Sequence, residues 1–204
     1  MSNSKKLLVL ASLFSVLFVV ANILATKKVE IGGLILTGGL VAFPFTFLIT
    51  DMVNEVYGKK MAQTFVYIGF GSMIIALGLI QLCIVLPAAG FWTDNQIMFA
   101  AVLKGTFRIT LGSLVAYLVS QTHDVFMFSL LSKLTKGKHL WLRNNVSTIL
   151  SQIIDSVIFI TVAFLGVVPN SALLAMITGQ WVAKFLIALL DTPFCYWGVR
   201  WLKK

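Results

Sequence analysis

Seven ionisable residues, Asp51, Glu55, Arg108, Asp124, Asp155, Lys184 and Asp191, stand inside long apolar runs. On the insertion scale a central Asp, Lys or Arg costs about 2.5–3.5 kcal/mol within a membrane span, so such groups must face a protein interior or water. Three spacings suggest what they do there. Asp51 and Glu55 are i, i+4 and project from one helix face, with Asn54 on its flank. Two adjacent carboxylates rarely both ionise in a dry interior unless a cation compensates, and Arg108, Lys184 or a cationic ligand could do so. Gln180, Lys184 and Asp191, at i, i+4 and i+11, share a second face that offers both donors and acceptors to a cavity. The third pattern is a repeated word, Ser120-Gln121-x-x-Asp124 and Ser151-Gln152-x-x-Asp155. Each copy makes one compact hydrogen-bonding patch, and a short loop between the two helices makes them antiparallel, so the patches could face each other. A weak internal repeat is one reading of the word, and chance recurrence is the other. Asn22, in the first apolar run, is a further polar candidate.

Polar side chains also serve as interhelical glue, and a buried ion pair can be purely architectural. That reading suits any one of these residues better than all seven together, given the cost of each. Arg143, beside Trp141, reads as an interface anchor, while Trp181, Trp197 and Trp201 read as anchors or stacking surfaces. Enzyme signatures are sparse. There is no HExxH pair and no GxGD aspartate, and Gly69-Phe-Gly-Ser72 lacks the glycine after serine that marks a nucleophile. His123 and His139 stand in no catalytic spacing, which makes an intramembrane enzyme with Asp51 and Glu55 as acid and base the weaker alternative. Cys83 and Cys195 form no CxxC or Cys/His ligand pattern, so neither metal nor disulfide framework is expected, and no cofactor either.

The elements that must position these residues follow from composition. The chain has 204 residues, 59% hydrophobic and 11% charged, with a mean hydropathy of +0.96. Most of its surface must face lipid, where every backbone amide needs an internal partner, and long apolar runs select helices over a closed barrel. The expected fold is an all-α integral membrane protein, a single domain over 1–204. Six spans are predicted at about 7–25, 40–57, 61–87, 97–132, 146–168 and 171–198, each able to supply the ~20 residues of a crossing. The fourth is too long for one upright crossing, so it is either strongly tilted or begins as a surface helix that turns near Gly105. Lys28-Val-Glu-Ile31 and Leu34-Ile-Leu-Thr37 flank Gly32-Gly33, which reads either as a hairpin with a primed turn or as a glycine-rich loop. Lys5 and Lys6 before an apolar run resemble a signal peptide, but that run is longer than the usual h-region and reads as a retained first helix.

Net charge is +9, yet the basic residues sit in small clusters between apolar runs, as beside anionic lipid, so nucleic-acid binding is discounted. Lys5, Lys6, Lys59, Lys60, Lys133, Lys136, Lys138, Arg143, Arg200, Lys203 and Lys204 fall on one side, against Lys27 and Lys28 on the other. Both termini are therefore expected in the cytoplasm.

The stretch Phe43-Pro-Phe-Thr-Phe-Leu-Ile-Thr-Asp-Met-Val-Asn-Glu-Val-Tyr-Gly58, the paired Ser-Gln-x-x-Asp words, Leu140-Trp-Leu-Arg-Asn-Asn145 and Asp191-Thr-Pro-Phe194 resemble the queuosine precursor transporter family, also called the VUT or vitamin uptake family. The resemblance runs over nearly the whole chain. It implies import of 7-deazaguanine precursors of a modified tRNA base, chiefly 7-cyano-7-deazaguanine and its aminomethyl analogue, across the bacterial inner membrane. Such a guanine-like edge offers N–H donors that carboxylates accept and a carbonyl that Lys184, Gln121 or Gln152 could satisfy. The family is similar in size and helix number to the substrate-binding subunits of energy-coupling-factor vitamin importers. That likeness leaves open a standalone transporter or a subunit working with ATPase partners. No Walker A motif occurs in the chain, so ATP hydrolysis would come in trans. Homo-oligomerisation and the coupling ion are likewise left open.

Overall fold

The computed structural model describes residues 3–32, 34–104, 107–166 and 169–203. Seven helices dominate: α1 (Asn3–Leu24), α2 (Phe43–Tyr57), α3 (Lys59–Val85), α4 (Thr93–Lys104), α5 (Phe107–Leu134), α6 (Leu140–Phe164) and α7 (Asn170–Lys203). Between α1 and α2, strands β1 (Lys28–Ile31) and β2 (Leu34–Thr37) pair antiparallel with Ile31 opposite Leu34, leaving a two-residue turn. Gly32 adopts φ +60, a left-handed conformation suited to glycine at a primed turn. The hairpin reading of this segment therefore holds. A 3₁₀ turn, Gly38–Val41, leads into α2, whose first turn carries Pro44, where a missing N–H costs nothing.

Among the described residues, four helices are long and apolar enough to cross a membrane: α1, α3, the Leu111–Leu134 part of α5, and α6. A fifth is α7, bent by 45° between Asn170–Ile187 and Leu190–Lys203. Pro193 accounts for the bend, since its ring excludes the carbonyl four residues back and it has no N–H to donate. At 15 residues α2 is about 22 Å long, short of a ~30 Å hydrocarbon core. The predicted run 97–132 falls on α4 and α5, and the turn predicted near Gly105 lies outside the described residues. Helix α4 turns back on the end of α3, where the Gln96 amide donates to the Ile84 carbonyl at 3.0 Å.

The ends of the bundle are fixed by long-range contacts. Lys6 Nζ donates to the carbonyls of Trp201 and Leu202, each at 3.2 Å, so a cation from the start of α1 caps the C-terminus of α7. Glu55, at the end of α2, meets Arg143 at the start of α6 and Lys203 at the end of α7. Both termini thus lie at one end. At the other, the 3₁₀ turn lies against the last turn of α1 so closely that a Cβ on Gly39 would stand 2.6 Å from the Ala21 carbonyl oxygen. Backbone cannot yield there, and glycine is required.

Burial is inverted relative to a water-soluble domain. Leu8, Ile75, Leu190 and Trp197 are exposed, whereas Thr46, Thr50, Ser120, Gln121, Asp124, Ser147, Thr148, Ser151 and Ser156 are buried. An aromatic cluster of Phe14, Phe18, Phe43, Phe47 and Tyr117 fills the space between α1, α2 and α5. The apolar exterior faces lipid, and the polar residues gather along the axis.

Candidate functional site

Helix α5 packs along α6 over most of its length and brings the two Ser-Gln-x-x-Asp words together. The Ser120 hydroxyl of one word donates to Asp155 Oδ1 of the other at 3.2 Å. Ser151 of the second word meets His123 Nδ1 at 3.0 Å and, with Ser147, lies beside Asp124 without reaching hydrogen-bond geometry. The antiparallel geometry thus sets each serine near the aspartate of the opposite word. Gln121 Nε2 donates to Thr50 Oγ1 at 3.2 Å, which ties the crossing to α2. Asp155 is ion-paired to Lys184 of α7.

Two clefts open beside this crossing, on the hairpin side of the bundle. One, a narrow cavity of about 20 Å³, is lined by Leu40, Phe43, Pro44, Phe47, Thr148, Gln152, Lys184, Ile187 and Asp191. The other, of about 30 Å³, is lined by Ala25, Thr37, Gly39, Leu40, Phe43, Ser113, Asp155, Phe159, Gln180 and Lys184. Sharing Leu40, Phe43 and Lys184, they form two lobes of one site. Lys184 Nζ stands 5.7 Å from the centroid of the Phe43 ring, within cation–π range. The predicted face of Gln180, Lys184 and Asp191 is formed, with Lys184 common to both lobes.

The carbonyl oxygens of Gln152 and Gln180 are buried without a hydrogen-bond partner among the described residues. Buried acceptors rarely stay unpaired, so this wall suits a guest that donates N–H groups. Lys184 supplies a donor close by, and Phe43 and Phe47 offer ring faces to a flat heterocycle.

The remaining candidates lie deeper or apart. Asp51 is buried, accepts from Thr148 Oγ1 at 3.3 Å and has the Asp124 carboxyl beside it. Asn144 Nδ2 donates to Asp191 Oδ1 at 3.2 Å. Asn22 accepts from the Ser113 hydroxyl, linking α1 to α5 beside the second lobe. The side chain of Arg108 lies outside the described residues.

Glu55 departs from the expected pairing with Asp51. Its partner is Arg143, Nη2 to Oε2 at 2.8 Å, with Lys203 farther off at 3.8 Å. The compensating cation at Glu55 is thus Arg143 and not Lys184, which pairs with Asp155. Arg143 is no interface anchor either: it is 1% exposed, donates to Ser132 Oγ at 2.7 Å and lies 5.5 Å from the Phe128 ring. Its position on the α5-facing side of α6 turns it inward, while neighbouring Trp141 points out. Trp201 packs under Lys6, and Trp197, 72% exposed, suits an anchor. Phe43, Thr50, Asn144 and Thr148 were not picked out individually by spacing. Asn144 and Thr148 share an i, i+4 spacing with each other and extend the Ser151 face backwards, which is the one signal that points to them.

A model of the "Putative vitamin uptake transporter" family matches residues 37–198. A protein of Bacillus subtilis named "Probable queuosine precursor transporter" is 34% identical over 87% of this chain and 78% of its own length. The "Queuosine precursor transporter" of Escherichia coli is 31% identical over 75% of this chain and 66% of its own. A "Probable queuosine precursor transporter" of Haemophilus influenzae is 29% identical over 63% of this chain and 52% of its own. No solved structure matches.

Proposed function

The chain belongs to the "Putative vitamin uptake transporter" family, whose model spans most of it, and from that premise we propose that this multi-pass membrane transporter imports a 7-deazaguanine precursor of queuosine. The relatives' names supply the compound class, and 7-cyano-7-deazaguanine and 7-aminomethyl-7-deazaguanine are its members favoured here. The observation that carries the reading is the two-lobed cleft in which unpaired Gln152 and Gln180 oxygens flank Lys184 beneath Phe43. A deazaguanine has a matching edge: ring and exocyclic N–H groups for the amides, one carbonyl for Lys184, and a flat face for the aromatic wall. The membrane is the bacterial inner membrane, and both termini face the cytoplasm. Supporting that orientation, Lys59, Lys60, Lys133, Lys136, Lys138 and Arg200 surround the end where the termini meet. The test is salvage: a strain unable to make the deazaguanine base, deleted for this gene and lacking a second importer, should fail to form the modified tRNA base from dilute precursor. Undiminished salvage would refute the reading.

A further inference from the structure

The polar face of α7 presents three chemically different groups in a fixed order, Gln180, Lys184 and Asp191, and all three line the two-lobed cleft. Gln180 Oε1 is a buried acceptor without a partner among the described residues. Lys184 gives one proton of its ammonium to Asp155 and keeps two for a guest. Asp191 is the group left uncompensated. Its Oδ1 accepts from Asn144 Nδ2 at 3.2 Å, while its Oδ2 has no partner among the described residues. No described cation stands within ion-pair distance of it: Lys184 is held by Asp155 and Arg143 by Glu55, and the charged group acting on Asp191 is the Asp124 carboxyl. The space around the lobes points to the same residue. They close to about 20 and 30 Å³, so a bicyclic guest must spread them. A wider groove of about 260 Å³ between α2 and α7 adjoins the first lobe and shares Leu40, Pro44, Ile187 and Asp191 with it. Asp191 therefore stands where a substituent projecting from the ring finds room.

We infer that Asp191 is the counter-ion for a cationic substituent on the guest, so that the site selects a ring bearing a protonated amine over a neutral analogue of the same size. The inference rests on the deazaguanine reading above and refines it to one residue and one charge. Around the edge of a deazaguanine the exocyclic amine and ring N–H, the carbonyl, and the substituent at the 7-position follow one another in that order. Along α7 the matching order is Gln180 as acceptor, Lys184 as donor and Asp191 as anion, at rises of ~6 Å and then ~10.5 Å. The 45° bend shortens the second interval. An amine on the 7-substituent, protonated at neutral pH, donates to Asp191 Oδ2 and to the unpartnered Gln152 Oε1 that lines the same lobe. Lys184 does not oppose that charge, because Asp155 already neutralises it. A cyano or hydroxymethyl group leaves the half-buried Asp191 charge unpaired beneath the guest, a cost that falls on the neutral ring alone.

The experiment measures equilibrium binding of three guests to the purified full-length protein in detergent at neutral pH. These are 7-aminomethyl-7-deazaguanine, its neutral isostere 7-hydroxymethyl-7-deazaguanine, and 7-cyano-7-deazaguanine. The wild-type protein is expected to bind the aminomethyl compound at least tenfold more tightly than either neutral guest, and Asp191→Asn should bring that ratio below threefold. A wild-type ratio below threefold for either neutral guest overturns the inference, and this comparison does not depend on any variant folding. So does a folded Asp191→Asn protein that keeps the wild-type ratio, which would place the selecting charge elsewhere. Binding of none of the three guests would sink the deazaguanine reading and this inference with it, whereas equally tight binding of all three would sink the inference alone.

Discussion

Arg143 and Glu55 form an ion pair that water barely reaches, and its energetics are set by what remains when one partner is lost. Truncating Arg143 leaves Glu55 facing protein with only the distant Lys203, and breaking a buried pair in this way costs about 3–5 kcal/mol. Arg143→Ala should therefore lower the unfolding temperature sharply. The double variant Arg143→Met with Glu55→Gln should recover most of that loss, because no lone charge is left; equal instability of single and double variants would show that shape, not charge, matters there. Gln152 behaves differently. Its buried oxygen lines the cleft without a partner, so Gln152→Ala should weaken binding of a deazaguanine by about 1–3 kcal/mol, roughly tenfold to a hundredfold, while stability holds. Wild-type affinity in a well-folded Gln152→Ala protein would remove this wall from the site. Sequence spacing made the Gln-Asp words visible because helical periodicity alone places Gln121 near Asp124 and Gln152 near Asp155. It could not assign Arg143 to Glu55, since 88 positions of chain separate them and only the shared packing of α2 and α6 on α5 and α7 brings them together.

At the level of elements, α7 carries the cleft on one side of its bend and part of the polar interior on the other. Lys184 stands before the bend and Asp191 after it, so the angle sets their separation across the lobe they share. Pro193→Ala would restore the hydrogen bond to the carbonyl of residue 189 and favour a straighter helix, with a propensity gain of up to ~3 kcal/mol. The expected outcome is a protein at least as heat-stable as wild type whose deazaguanine affinity and uptake both fall. Unchanged uptake would mean that the bend is packing geometry without functional weight. Turns were legible where chemistry is local: Gly32-Gly33 between alternating residues specifies the hairpin. The shortness of α2 was not, because the apolar residues Leu40 and Val41 continue its pattern into a 3₁₀ turn. Hydropathy does not distinguish those two helix types.

For the whole molecule, parity constrains topology. The contact of Lys6 with the Leu202 carbonyl puts both termini at one end, which requires an even number of crossings. Among the described residues four long helices plus the bent α7 make five, so the six crossings expected from the sequence need one more element. Helix α2 is the candidate that geometry allows: it begins beside the hairpin end, where Gly39 touches Ala21, and ends at Glu55 beside Arg143 and Lys203 at the opposite end. Its 15 residues give about 22 Å, and the preceding Gly38–Val41 turn, at ~2.0 Å per residue, extends the helical rod to roughly 30 Å. Ala42 between them keeps right-handed helical dihedrals, φ −110 and ψ −27, so the two pieces are not broken by an extended residue. The polar Thr46, Thr50, Asp51 and Asn54 are tolerated because all four are buried against other helices. Labelling decides the matter. In a background with Cys83 and Cys195 replaced by serine, a cysteine at Thr37 should react with an impermeant maleimide from outside intact cells, whereas one at Lys60 should react only after permeabilisation. Reaction of both from the same side would show that α2 does not cross, and the even count would then have to come from α4.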